Sequence, residues 1–256
     1  MNTKILKYVV LDILQSRFVV AYTLLLFAVS VSLFTLEGNV DKGILSLLNV
    51  VLIVVPLLSV VFSTIHFYNS YEFIELLLAQ PVPRLKILMS QYAGVALSLS
   101  LALALGMGLP IVLFAYGEVG LSLLASGVLL TLIFTAIGFL SAVLTRDKAK
   151  GIGIALLLWF YFAILYDGLV LYILFSFSDY PLEKLTLLLV SLNPVDLGRI
   201  VILLKMDIAA LMGYTGALYQ QFFGSVLGIL FSLGIMVLWW TLPISISSLV
   251  FRKKDL

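Results

Sequence analysis

The chain has 256 residues, of which 63% are hydrophobic and 11% charged, with a formal net charge of +2 and a mean hydropathy of +1.22. Soluble domains are roughly 45–50% apolar and about 25% charged, so this composition excludes a soluble domain and marks an integral membrane protein. The absence of cysteine excludes disulfides and thiolate metal sites.

Residues Asn2 to Arg17 place Ile5, Leu6, Val9, Val10 and Ile13 on one side of a helix and Lys4, Lys7, Asp12 and Gln15 on the other. This pattern predicts an amphipathic interface helix over 1–17, lying along the membrane surface. Uncharged runs then follow at Phe18 to Leu36, Gly43 to Ile65, Ile87 to Gly117 and Val119 to Thr145. A fifth, Gly151 to Ser178, carries one acid, Asp167. A sixth, Ile208 to Phe251, is too long for one crossing and divides near Gln220 and Gln221, leaving a last span of Phe222 to Phe251. The runs lack the alternating period of barrel strands, so the fold class is an all-α membrane protein with six transmembrane helices in a single domain, 1–256.

Threading six spans with the N-terminus inside puts Lys4, Lys7, Arg17, Arg84, Lys86, Arg146, Lys148, Lys150, Arg252, Lys253 and Lys254 on one face. Only Lys42, Lys184, Arg199 and Lys205 fall on the other. By the positive-inside rule the first face is cytoplasmic and both termini lie there, in a cell (inner) membrane. The net charge therefore reports topology, and no clustered soluble basic surface points to nucleic acid.

Between the second and third runs, within the connection 67–86, stands YEFIELLLAQPVPRLKIL, Tyr71 to Leu88. Tyr71 to Ala79 has helix-forming composition, with Glu72 and Glu75 on one face and Phe73, Ile74, Leu76 and Leu77 around it. Pro81 and Pro83 stop it, because proline has no N–H and restricts the residue before it. Gln80-Pro81-Val82-Pro83 is then an extended corner leading into Arg84 and Lys86. Such a helix is too polar to cross and too apolar to sit free in water, which predicts a grooved partner.

The order of a surface helix, two spans, EFIELLLAQPVPR and four more spans resembles the permease subunit of type-2 ABC transporters. The resemblance implies that this corner helix couples to a separate cytoplasmic ABC ATPase dimer. Glu72, Glu75, Gln80 and Pro81 would face the ATPase and Arg84 would anchor the turn. A phosphate loop is lacking: Gly38 to Gly43 has the glycine spacing, but Ile44 stands where lysine is required. The chain thus binds no cofactor itself, ATP and Mg belonging to the partner, and is not an enzyme. Six spans are half of what such transporters present, so a second copy is implied, with Gly224 and Gly228 offering a close-approach surface.

Residues 179–221 form an extracytoplasmic segment in which Leu185 to Leu192 and Ile208 to Tyr219 are too short to cross, predicting interfacial or re-entrant helices. Within it, SLNPVDLGRIVILL reads as a helix start, with Asn193 as N-cap, Pro194 first and Asp196 third. The same Asn-Pro start with Asp and Arg199 following, together with ELLLAQPV and LYDGLV, is similar to the NosY-type permeases of transporters that assist assembly of copper-containing nitrous oxide reductase. That narrower resemblance implies a periplasmic substrate-handling protein docked on the outer segment through Asn193, Pro194, Asp196 and Arg199.

No residues suggest a liganded metal channel. His66 is the sole histidine, read as an interfacial hydrogen-bonding group, and Met206 and Met212 lie without a partnering cluster. Asp167 is the acid inside the membrane, and with no Lys, Arg or His in a span opposite it, it reads as a buried structural hydrogen bond. Three functions compete. A generic exporter of lipid, drug or ion would share all the permease features. A secondary transporter should show paired interrupted helices, whereas Gly106-Met107-Gly108 with Pro110 lacks a counterpart. An intramembrane enzyme needs a nucleophile and base or a metal set, and none is visible.

Overall fold

The computed structural model describes residues 3–177, 183–206 and 226–253. Among them, six helices are long and apolar enough to cross a membrane: Arg17–Leu36, Val40–Asn69, Arg84–Phe114, Glu118–Leu144, Lys148–Ser176 and Gly228–Lys253, spans one to six in chain order. The all-α, six-span expectation holds. The alternation of the spans brings Arg17, Arg84, Lys148 and Lys253 to one end of the bundle, the basic face.

Polar residues at the junctions fix where the spans begin. Ser16 Oγ accepts from the Val19 N–H at 3.3 Å, Asn39 Oδ1 from Asp41 at 2.9 Å, and Asp147 Oδ1 from Lys150 at 2.7 Å. Each satisfies a donor that the first helical turn leaves unpaired. Gly38 turns the chain between spans one and two with φ +61°, a left-handed conformation that glycine adopts without steric cost. In span three the Gly106-Met107-Gly108-Pro110 sequence does not break the helix. It widens it into a π-turn over Ala104–Gly108 before the α-helix resumes. A β-carbon at Gly106 would lie 2.8 Å from the Thr23 carbonyl oxygen, so the glycine admits the backbone of span one.

Span four is the most enclosed helix, with 72% of its apolar window buried. Lipid supplies no hydrophobic drive between helices, so close approach and polar side chains must hold them together. Thr64 Oγ1 donates to the Gly138 carbonyl at 3.2 Å. Tyr92 donates to the Leu132 carbonyl at 3.0 Å, and Trp240 Nε1 in turn donates to the Tyr92 oxygen at 2.5 Å. At Gly138 a β-carbon would stand 2.8 Å from the Val60 carbonyl oxygen and 3.0 Å from Thr64 Oγ1, so span two packs on bare backbone. Gly138→Val should destabilise the fold by about 2 kcal/mol through overpacking. Gly153→Ala, inside a helix where nothing lies within 4 Å, should not lower the melting temperature of the detergent-solubilised chain.

The N-terminal helix, Thr3–Leu14, buries Ile5, Val9 and Ile13. It lies against span three, where an added β-carbon at Gly94 would stand 2.9 Å from Val9 Cβ. Between spans five and six, helices Glu183–Ser191 and Pro194–Lys205 follow one another through a bend of 112°. Both ends of this pair lie opposite the basic face. Glu183 follows the end of span five, and Lys205 Nζ bonds Glu118 Oε2, at the start of span four, at 3.0 Å. The pair is therefore a re-entrant hairpin. Its tip reaches the middle of the bundle: Asn193 Nδ2 donates to the Phe162 carbonyl at 2.9 Å, and Trp239 Nε1 donates to the Ser191 carbonyl at 3.2 Å. Phe162 and Trp239 stand halfway along spans five and six. The expected helix Ile208 to Tyr219, the division at Gln220 and Gln221, Met212 and Gly224 lie outside the described residues.

Candidate coupling surface and outer hairpin

At the basic face, span two ends at Asn69 and a short helix, Tyr71–Leu78, follows at once. It closes at Ala79, and Val82 N–H donates to the Gln80 carbonyl at 2.7 Å between the two prolines, forming the expected corner. Pro83, at φ −58° and ψ 133°, hands the chain to span three at Arg84, which is half-buried. The apolar residues divide differently from the sequence reading. Ile74 (1% exposed) and Leu77 (8%) face the chain's own core, and the Phe73 ring lies 5.4 Å from that of Tyr8 on the N-terminal helix. What remains outward is Glu72, Glu75, Ala79, Gln80 and Pro81, with Leu76 69% exposed. The free surface is thus an acidic ledge with one apolar knob, while the rest of the apolar face anchors the helix.

The root of this helix is clasped to the second connection on the same face. The Tyr68 hydroxyl lies 2.5 Å from Thr145 Oγ1 and 3.3 and 3.2 Å from the carbonyl oxygens of Thr145 and Asp147. Lys148 Nζ donates to Asn69 Oδ1 at 2.8 Å. Gly151 permits the clasp, because a β-carbon there would meet the Tyr68 ring at 2.8 Å. His66 has the hydrogen-bonding role expected of it, with Nε2 3.4 Å from Gln91 Oε1 and 3.3 Å from Ser70 Oγ. Sequence reasoning missed Tyr68 and Gly151, since a tyrosine at a span end is ordinary and its contacts are 77 and 79 residues away.

In the outer half, the structure brings Asp167 together with the residues read from the hairpin. Asn193 caps its helix, Oδ1 accepting from Val195 at 3.0 Å. Its Nδ2 also donates to Asp196 Oδ2 at 3.0 Å. Arg199 Nη1 reaches Asp167 Oδ2 at 2.8 Å and Asp196 Oδ1 at 3.2 Å. A π-turn over Tyr161–Leu165 in span five underlies this contact. There the Tyr166 N–H reaches back to the Tyr161 carbonyl, and the neighbouring Phe162 carbonyl accepts from Asn193. The partner of Asp167 thus comes from the hairpin, and the interaction is a partly exposed ion pair where a buried structural hydrogen bond was expected. Asn193, Pro194 and Asp196 are buried within the chain, and the Arg199 side chain is 32% exposed.

The sequence profile of the ABC-2 family transporter proteins matches residues 5–256, from the first turn of the N-terminal helix to the last residue. The chain belongs to the ABC-2 family. It is similar to the probable ABC transporter permease protein NosY of Pseudomonas aeruginosa, with 27% identity over 223 residues, covering 79% of this chain and 81% of that one. The protein is therefore a multi-pass ABC-2 permease subunit. Family membership implies an ABC ATPase as partner and often a dimeric permease. In an ABC-2 permease the ledge at Glu72, Glu75 and Leu76 and the ion cluster at Asp167, Asp196 and Arg199 are two separate candidate sites, the first at the basic face and the second inside the outer half of the bundle.

Proposed function

We propose that this permease subunit turns ATP hydrolysis by a cytoplasmic ABC ATPase dimer, which holds the ATP and Mg, into movement of the outer hairpin. The basic face is the cytoplasmic one, in the inner membrane, with both termini there. The observation that carries the reading is the corner helix. It is fixed to the chain through Ile74, Leu77 and Phe73 and presents Glu72, Glu75, Leu76 and Gln80 outward. A charged and singly apolar ledge of this kind suits a groove lined by cations. A second copy of the chain completes the permease. An ion pair one-third exposed at membrane depth is unfavourable against lipid, which supports that copy covering the Asp167 and Arg199 face.

The finer reading places the transporter in maturation of the copper enzyme nitrous oxide reductase, with a periplasmic substrate-handling protein beyond the outer face. Similarity to NosY across most of the chain supports it. Deleting the subunit in its host should yield nitrous oxide reductase protein of normal abundance but with its copper content and activity lowered at least about tenfold, an effect of more than 1.4 kcal/mol on the loading step. Metal analysis of the purified enzyme checks this. Normal copper in the deletion strain would refute the maturation role and leave a general ABC-2 exporter.

A further inference from the structure

Span five is held to its neighbours at three levels. At the basic face, the Tyr68 hydroxyl grips Thr145, which closes span four, and Asp147, the N-cap of span five, and Lys148, the first residue of span five, bonds Asn69. Further along, Trp159 Nε1 donates to the Ile53 carbonyl of span two at 3.0 Å. From the midpoint outward, Phe162 accepts from Asn193, the Tyr166 hydroxyl donates to the Leu189 carbonyl at 2.6 Å, and Asp167 pairs with Arg199. The first two ties join span five to span two. All those from Phe162 outward join it to the hairpin.

Tyr68 and Asn69 are the last two residues of span two, separated from the corner helix only by Ser70. A displacement of that helix therefore acts directly on the clasp, as it does on the N-terminal helix and span three against which it rests. We propose that spans two and five move as one rod, joined to each other at the cytoplasmic end by the clasp of Tyr68 and Asn69 and tied to the hairpin by Arg199, and that this rod delivers corner-helix motion to the hairpin. Tyr68 and Arg199 are positioning residues in this scheme. The inference rests on the coupling reading above and adds its route through the membrane.

The test uses the full permease with its ATPase in lipid nanodiscs and reads backbone hydrogen exchange across 183–206, with and without ATP and vanadate. Wild type should show nucleotide-dependent exchange in the hairpin. Tyr68→Phe, which removes the hydroxyl grip but keeps the ring, should shrink that difference about fivefold while the ATPase remains bound, the size expected for a coupling residue that contacts neither site. Because the chain has no cysteine, Asn69→Cys with Lys148→Cys can be bridged by a short thiol crosslinker. A rod moving as one body keeps its nucleotide response when bridged. A bridged protein that loses the response, a Tyr68→Phe variant that keeps it in full, or a hairpin indifferent to nucleotide in wild type would each overturn the rod. Failure of the ATPase to bind the wild-type chain would instead refute the coupling reading itself.

Discussion

Reversing both acids of the corner helix, Glu72→Lys with Glu75→Lys, should detach the ATPase while leaving the permease folded in the membrane. Both side chains are exposed and three residues apart, so they project from one face of the helix. Neither contributes to the buried side that Ile74 and Leu77 form. Lysine and glutamate have similar helix propensity, and losing a carboxylate in the first turn costs under about 1 kcal/mol. Binding is another matter. If the ATPase groove is cationic, each reversal replaces attraction with repulsion, and like charges brought together at an interface cost several kcal/mol. An affinity loss of at least about a hundredfold follows from roughly 3 kcal/mol. Titration of purified ATPase against the permease in nanodiscs measures it, with Glu37→Lys, exposed at the opposite end of the bundle, as the control that should bind normally. Undiminished binding by the double variant would remove the corner helix from the interface.

The spans were legible because twenty uncharged residues have few places to go other than a bilayer. Their ends were legible because Ser16, Asn39 and Asp147 carry the short polar side chains that cap a first turn. The corner was legible from Pro81 and Pro83, which put two missing N–H groups and two restricted preceding residues within Gln80 to Pro83, whereas a lone proline such as Pro56 or Pro243 stays inside its span. The use of its apolar residues was not. Leu76 and Leu77 are chemically identical, and only the way the corner helix packs on spans two and three decides that one is exposed and the other buried.

The hairpin shows the same limit. Asn193, Pro194 and Asp196 announced a helix start, and the structure has one there. Segment length says only that such a helix does not cross, and nothing local states how deep it lies. Its depth follows from Gly198, where an added β-carbon would be 3.5 Å from Leu130 Cδ1 and 3.7 Å from Leu52 Cδ2, on residues near the middle of spans four and two. A search for a cation opposite Asp167 confined to the spans could not find Arg199, which enters from a segment that only partly penetrates. A lone basic residue three positions after an acid in an otherwise apolar, non-crossing stretch is the signal that could have found it.

Arg199→Leu should be the most damaging single substitution in the outer half, costing about 3 kcal/mol. The cluster contains two carboxylates and one guanidinium, with Arg199 Nη1 within ion-pair distance of both. Removing the arginine leaves two acids at membrane depth without a cation, and stripping one partner from a buried ion pair is destabilising by about 3–5 kcal/mol. The low end applies here because Asp167 and Arg199 are each 32% exposed. Asp167→Asn works in the opposite sense. It leaves Arg199 matched one to one with Asp196, which also keeps its bond from Asn193, so the loss should be nearer 1 kcal/mol. Arg199→Leu combined with Asp167→Asn should then be more stable than Arg199→Leu alone, because the second change relieves the crowding of two acids in one site and contacting residues do not add independently. Thermal melting of the four proteins, read by fluorescence-detected size exclusion, orders them. Were Arg199 instead a docking residue for a periplasmic protein, Arg199→Leu would melt like wild type and lose only its partner. Because Arg199 stands between two acids on different helices, the expected result is a lowered melting temperature.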